Sequence, residues 1–212
     1  MINKILLILL LITILSFTNY TKPNFTLKIL SSEIKNGNFI FFEISNNTNY
    51  DYCFVMDTLF LNKEYPQFYY LNAFYNPKIV LFENNGTRVS EFIKDESIPE
   101  LSINNSTIID IVDKNSKNKR TNSENLNLVI IKSHKKIKLK IPFELVTRLN
   151  NESVSYYKLK KGVNYHGKID YLIEQKFIDK RISIKKKDSV QRIGCRFFTG
   201  RLISNKVPLI LK

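Results

Sequence analysis

The 212-residue sequence contains no tryptophan and few residues of several other types: two cysteines, two histidines, six glycines and six prolines. So little glycine and proline excludes a collagen-like chain or a flexible linker protein. The two cysteines do not form a Cys-x-x-Cys pair, which excludes a redox motif of that kind and a zinc ribbon. The lack of tryptophan disfavours a platform on which carbohydrate rings stack.

The motifs of common enzyme classes are also missing. The sequence has no Gly-x-Ser-x-Gly elbow, no His-Glu-x-x-His motif, no P-loop and no Gly-x-Gly-x-x-Gly loop. The histidines, His134 and His166, are each flanked by lysine or turn residues, and we expect both to be exposed rather than catalytic. These observations predict a non-enzymatic protein without a metal or other cofactor.

Acidic residues are outnumbered by basic ones, 19 against 33, which gives a formal net charge of +14. Such a charge favours acidic partners. The basic residues are spread over several segments, however, and many alternate with apolar residues on predicted strands. We therefore interpret them as solvated strand faces and loops, and we expect an unknown protein or an anionic cell-surface component as partner, not nucleic acid.

The N-terminal segment consists of Lys4 followed by an apolar run, ILLILLLITILSF, at residues 5–17. A short positive region followed by an apolar run of this length is typical of a signal peptide, and the run is too short to span a bilayer comfortably. The pattern predicts a signal peptide at residues 1–20, cleaved near Thr18 or Asn19, and a single domain at residues 24–212. The protein is then exported, to a periplasm or to the medium, and an uncleaved anchor is the alternative.

The segment at residues 38–57, NFIFFEISNNTNYDYCFVMD, predicts a central hairpin. Apolar residues alternate at Ile40, Phe42 and Ile44, and again at Tyr52, Phe54 and Met56. The asparagine-rich connection between them, residues 45–51, is typical of turns.

Further strands are predicted at residues 25–30, 78–83, 87–92, 126–131, 135–141, 154–159 and 167–173, and residues 107–112 predict either a strand or a short helical turn. Residues 195–211 predict one long last strand that bends near Gly200. Residues 98–105 and 113–125 are predicted to be loops, the latter solvated and mobile. Residues 174–194 are predicted to be an insertion with a basic tract and no helical pattern.

Many short strands with hairpin turns and almost no helical periodicity predict an all-β antiparallel protein, a sandwich with long loops. The pattern of Leu159, Gly162 and Tyr165 directly before a predicted strand resembles the tyrosine corner of immunoglobulin-like sandwiches. The ending from Gly200 to Leu209, with Ser204-Asn205-x-Val, is similar to the final strand of exported bacterial immunoglobulin-like domains. This resemblance covers about the last third of the chain and implies an immunoglobulin-like fold, with a hydrogen bond from the Tyr165 hydroxyl to nearby backbone. It implies no catalytic residues, and without tryptophan the Cys–Trp–Cys core of antibody domains is absent.

In the oxidising environment outside the cytoplasm, the cysteine thiols of an exported chain can form a disulfide. Cys53 and Cys195 lie on an early and a late predicted strand, and they are predicted either to form a disulfide or to remain two buried thiols.

The aromatic segment at residues 65–75 is the candidate partner-binding loop, through Tyr65, Phe68, Tyr69, Tyr70, Phe74 and Tyr75. Alternatively, these rings close the end of the core. The sequence predicts an exported β-sandwich that binds a protein or cell-surface partner through its loops. The alternatives are an inhibitor of a secreted peptidase, acting through residues 58–77 or 174–194, and a hydrolase with an unrecognised site.

Overall fold

The computed structural model describes residues 23–56, 76–95, 98–103, 127–148 and 153–211. Within these residues the chain forms fifteen strands and two short helices, which confirms the all-β class. In chain order the elements are β1 (Phe25–Ile29), β2 (Ile34–Lys35), β3 (Phe39–Asn46), β4 (Tyr52–Met56), β5 (Lys78–Glu83), β6 (Glu91–Asp95), β7 (Ile98–Ile103), β8 (Asn127–Ile131), β9 (Lys136–Pro142), β10 (Val146–Arg148), β11 (Ser153–Tyr157), β12 (Tyr165–Ile173), α1 (Gln175–Arg181), α2 (Ile184–Arg192), β13 (Arg196–Phe197), β14 (Gly200–Ile203) and β15 (Val207–Ile210).

The described strands assemble into four sheets. Sheet I has the order β1-β3-β9 and is antiparallel throughout. Sheet II is built on β12, which pairs with β5 along one side and with β14 and β15 along the other, and the short β2 extends it by running parallel to β15. Sheet III has the order β13-β4-β8, and sheet IV has the order β10-β11-β6-β7.

Sheets I, II and III share one hydrophobic core. The alternation predicted for β3 is confirmed, because Ile40, Phe42 and Ile44 are all fully buried. Sheets II and III are also joined by a hydrogen bond, in which the buried Tyr171 hydroxyl donates to the Val55 carbonyl at 2.9 Å. The core therefore extends across all three sheets rather than lying within one hairpin.

The predicted central hairpin is wrong, although both of its strands exist. β3 belongs to sheet I and β4 to sheet III, and the two do not pair. The connection between them is fixed by hydrogen bonds from Asn46 to the end of β8, so the chain leaves one sheet and enters another. A hairpin forms instead between the strands predicted at residues 78–83 and 87–92, at the turn Asn84-Asn85-Gly86, where the Glu83 N–H donates to the Thr87 carbonyl at 2.8 Å. Its second arm pairs only at Arg88, and β6 starts at Glu91.

Residues 98–105 were expected to be a loop, but Ile98–Ile103 is strand β7. β7 is the outer strand of sheet IV and pairs only with β6 among the described strands. Pro99 fits an outer strand because its missing N–H can lie on the unpaired side.

Residues 174–194 were predicted to have no helical pattern, and this is wrong, because the segment folds into α1 and α2. Ser183 caps α2 by accepting a hydrogen bond from the Lys186 N–H at 3.3 Å. The helices bury only Ile178 and Val190, and Ile182, directly after α1, is buried as well. So few apolar positions leave little helical periodicity in the sequence.

The predicted long last strand is divided into β13, β14 and β15. Between β14 and β15, Ser204 exchanges two hydrogen bonds with Ile169: its N–H donates to the Ile169 carbonyl at 2.9 Å, and its hydroxyl accepts from the Ile169 N–H at 2.8 Å. The next residue, Asn205, accepts from the Ile29 N–H of β1 at 2.8 Å. The Ser-Asn pair thus attaches the chain to both sheet II and sheet I.

The predicted signal peptide at residues 1–20, the strand or helical turn at 107–112 and the loop at 113–125 lie outside the described residues. Among the described residues, neither helix has the length and apolar content needed to cross a membrane.

Candidate binding cleft

The aromatic loop at residues 65–75, which is predicted to contact a partner, lies outside the described residues. This applies to Tyr65, Phe68, Tyr69, Tyr70, Phe74 and Tyr75. The other sequence-predicted positions can be located in the structure.

Tyr165 begins β12 and is almost completely buried, at 3% exposure. Its hydroxyl accepts a hydrogen bond from the backbone N–H of Lys160 at 2.7 Å. Gly162 has φ +78°, a conformation that side chains with a Cβ rarely adopt, and Leu159 packs against the core. This is the local geometry that the Leu159, Gly162 and Tyr165 pattern predicts, and its role is structural.

Cys53 and Cys195 do not form a disulfide, so this alternative is corrected: both are free, buried thiols packed against Val190. The parallel pairing of β13 with β4 places Phe197 opposite Cys53, and Cys195 lies two residues before it. Burial raises the pKa of Cys53 to about 12, and the nearby Cys195 adds to the effect. Thiols that remain protonated in this way are poor nucleophiles.

The histidines have different environments. His134 is exposed, as predicted, and its Nε2 lies 2.8 Å from the Asn49 Oδ1. His166 was predicted to be exposed, but it is buried at 8% exposure and stacked on the Phe82 ring. Burial lowers the pKa of His166, and the positive charges of Lys206 and Lys168 contribute to the same shift.

The connection between β3 and β4 is held by Asn46, whose side chain is fully buried. Its Nδ2 donates towards three carbonyl oxygens, those of Tyr50 at 2.7 Å, Ile131 at 3.0 Å and Lys132 at 3.2 Å. Its Oδ1 accepts from the Thr48 N–H at 3.0 Å and from the Thr48 hydroxyl at 2.8 Å. The Asn46 side chain therefore contributes five hydrogen bonds that hold both ends of the connection.

The connection is also attached to the turn between β8 and β9. The Ser133 hydroxyl donates to the Thr48 carbonyl at 2.8 Å, and the Ser133 N–H donates to the Asp51 carboxylate at 2.8 Å. On the other side, the Asn47 Nδ2 donates to the Pro23 carbonyl at 2.8 Å. Because these anchors come from two separate parts of the chain, the loop is held in place before any ligand is present.

This loop forms most of an open cleft of about 400 Å³, a volume within the range of small-molecule sites. The lining residues are Asn24, Asn47, Thr48, Asn49, Tyr50, Tyr52 and Arg196. They supply amide, hydroxyl and guanidinium groups, but no carboxylate, imidazole or thiol.

The positive charge in the cleft is supplied by Arg196, at the start of β13. Its guanidinium carbon lies 3.5 Å from the centre of the Tyr50 ring, and the Tyr50 side chain is half exposed. Stacking on an aromatic face orients the guanidinium plane and leaves its N–H groups available at the edge. Among the described residues, no carboxylate forms an ion pair with Arg196.

These groups can bind a polar ligand by hydrogen bonds and charge. In the described part of the chain, no cluster of three or more histidine, cysteine, aspartate or glutamate residues is arranged to hold a metal ion. Residues 45–51 were predicted to be a turn, not a binding site. The three asparagines and one tyrosine of NNTNY could have indicated a polar binding loop. Arg196, however, is distant in sequence, and only the fold brings it to this loop.

Comparisons of the chain with protein-family models, with curated proteins and with solved structures find no match.

Proposed function

We propose that this chain is an exported, non-enzymatic immunoglobulin-like domain that binds a cell-surface partner through the cleft at residues 24, 47–50, 52 and 196. The observation that carries the proposal is the loop of residues 46–51, which is fixed by buried hydrogen bonds and nevertheless presents exposed polar side chains. A surface that is ordered in advance loses little entropy on binding.

The strand pairing supports the immunoglobulin-like part of the proposal. An immunoglobulin sandwich places strands A, B and E in one sheet and C, F and G in the other. Sheet I has the order β1-β3-β9, equivalent to A-B-E, and in sheet II β12 lies between β5 and β14–β15, equivalent to C-F-G. The Tyr165 corner then precedes the F strand, as in that family. Sheets III and IV are additions to this plan.

The proposal of export rests on the apolar run at residues 5–17. Intact mass of the chain recovered from outside the cytoplasm should show the loss of about 18 to 22 residues. A full-length mass in that fraction would contradict cleavage.

Binding through the cleft can be tested with an array that carries saccharides and peptides of different charge. We expect the full chain to bind a subset of the array, and the double variant Asn24→Ala/Asn49→Ala to lose that binding, because both exposed amides line the cleft. The matched control is Asn164→Ala/Gln191→Ala, which removes two exposed amides elsewhere. Equal binding by both double variants would contradict the use of the cleft.

The peptidase-inhibitor alternative has less support than the sequence suggested. Of its two candidate loops, residues 174–194 form helices, and a helix cannot enter a protease cleft as an extended strand. Residues 58–75 of the other loop lie outside the described residues. Inhibition of a panel of secreted peptidases would restore this alternative, and turnover of an ester and glycoside panel would restore a hydrolase.

A further inference from the structure

We infer that the ligand of the cleft is an acidic saccharide, with its carboxylate on the Arg196 guanidinium and its hydroxyl groups on the surrounding asparagine amides. This inference rests on the proposed binding role of the cleft. It names the chemical class of the ligand, which that role leaves open.

The charge of the site points to an anion. The lining includes one cationic side chain, Arg196, and no acidic one. The adjacent Asp51 does not line the cleft, and its carboxylate accepts the Ser133 N–H. An arginine whose plane is fixed by an aromatic ring presents two parallel N–H groups, which match the two oxygens of a carboxylate.

The neutral lining points to hydroxyl groups. Asn47 is held through its Nδ2, which donates to Pro23, and therefore presents its Oδ1 as an acceptor. Asn49 is held through its Oδ1, which accepts from the Nε2–H tautomer of His134, and therefore presents its Nδ2 as a donor. A hydroxyl group both donates and accepts, so a sugar can bond to both amides at once.

The same lining disfavours a peptide. No aliphatic side chain lines the cleft, so it lacks an apolar pocket of the kind that anchors peptide side chains. The Tyr50 ring is already covered on one face by Arg196. Recognition in this cleft therefore depends on charge and hydrogen bonds and needs no stacking platform, in agreement with the absence of tryptophan.

The test uses the full chain and three defined probes in titration calorimetry. The first is a tetrasaccharide of alternating uronic acid and N-acetylated amino sugar, the second is the same tetrasaccharide with its carboxylates reduced to alcohols, and the third is a tetraglutamate peptide. We expect the acidic tetrasaccharide to bind about tenfold or more tightly than its reduced form, since a charge-assisted contact of this kind is worth about 1.5 to 3 kcal/mol.

Variants assign the effect to one side chain. Arg196→Gln should abolish the preference for the acidic tetrasaccharide, and Arg196→Lys should keep only part of it, because lysine retains the charge without the planar guanidinium. The matched control is Arg192→Gln, which removes the same charge from an exposed position outside the cleft and should leave the preference unchanged. Amide spectra of each variant show whether it is folded, and in the wild-type chain the side-chain amides of Asn24 and Asn49 should shift on titration.

Three results would overturn the inference. The first is equal affinity for the two tetrasaccharides, or no binding of either. The second is a loss of the preference in Arg192→Gln as large as in Arg196→Gln, which would indicate unspecific attraction to the +14 chain. The third is tighter binding of the peptide than of the acidic tetrasaccharide. A cleft that binds neutral sugars or peptides on the array, and loses them in Asn24→Ala/Asn49→Ala, would leave the proposed function intact while this inference fails.

Discussion

The substitution of Asn46 tests how the cleft loop is held. In Asn46→Ala the buried Ile131 carbonyl loses a donor, a loss worth about 1 to 3 kcal/mol when a buried group is left unpaired. The partly buried bonds to Tyr50 and Lys132 and the two from Thr48 are lost as well, and the loop can recover some of them through water. We therefore expect the free energy of unfolding to fall by about 2 to 4 kcal/mol.

A second substitution separates the donor from the size of the side chain. Asn46→Asp keeps the acceptor for Thr48 but turns a second oxygen towards the three carbonyls. It should therefore be at least as destabilising as Asn46→Ala. The control is Asn47→Ala, which removes one bond, to the Pro23 carbonyl, from a partly exposed position and should cost about 0.5 kcal/mol.

The assay is urea unfolding of the three variants and the wild type at equal slope. A loss of about 2 to 4 kcal/mol should lower the midpoint by about 1 M or more for a chain of this size. An Asn46→Ala midpoint within error of Asn47→Ala would refute the argument that one buried amide holds the loop, and Asn46→Asp at wild-type stability would show that its donor is not needed.

Three further predictions concern sheet II. Tyr165→Phe should lower the free energy of unfolding by about 1 to 2 kcal/mol, because the Lys160 N–H loses its acceptor, whereas Tyr156→Phe should change it by less than about 0.5 kcal/mol; equal urea midpoints would contradict this. Gly167→Ala should lower the free energy of unfolding by about 1 to 3 kcal/mol, because the added methyl group would meet the Cδ1 of the fully buried Ile34. Ile34→Val removes that atom, so adding it to Gly167→Ala should recover part of the lost stability. Additive losses in the double-mutant cycle would exclude this contact as the cause. Because the pKa of His166 is lowered in the folded chain, the unfolded chain binds a proton more readily, so the free energy of unfolding should be highest above pH about 6.5 and fall as the pH decreases through the folded pKa. Thermal melts of His166→Gln at several pH values should not show this fall. An unchanged pH profile in the variant would exclude His166 as its source.

The strands could be predicted from the sequence where one face is buried and the other is not. β9 illustrates this, because its lysines alternate with Ile137, Leu139 and Ile141, which contact the core, and the strand lies where the pattern placed it. Pairing could not be predicted in the same way. Period-two alternation states which face of β3 is buried, but it predicts neither that β4 is buried on both faces nor that the two strands belong to different sheets.

The helices and the cleft depend on information that a local pattern does not contain. α2 buries only Val190, so its sequence is that of a solvated basic segment. The cleft joins Asn24 and the loop after β3 to Arg196, which lies more than a hundred residues further along the chain. The corner at Tyr165 could be predicted because its partner, Lys160, is five residues away.

The Ser204-Asn205 junction has a consequence for the order in which the fold can form. The Asn205 side chain bonds to Ile29 across 176 residues of sequence, and the following strand, β15, closes sheet II between β12 and β2. In a nascent chain, β2 and β12 therefore lack this partner until β15 has been synthesised. Non-local closure of this kind is slow, because the entropy of a long loop must be lost first. Folding is thus completed only after β15 has been synthesised, and a chaperone that shields β2 and β12 would act on the chain before then.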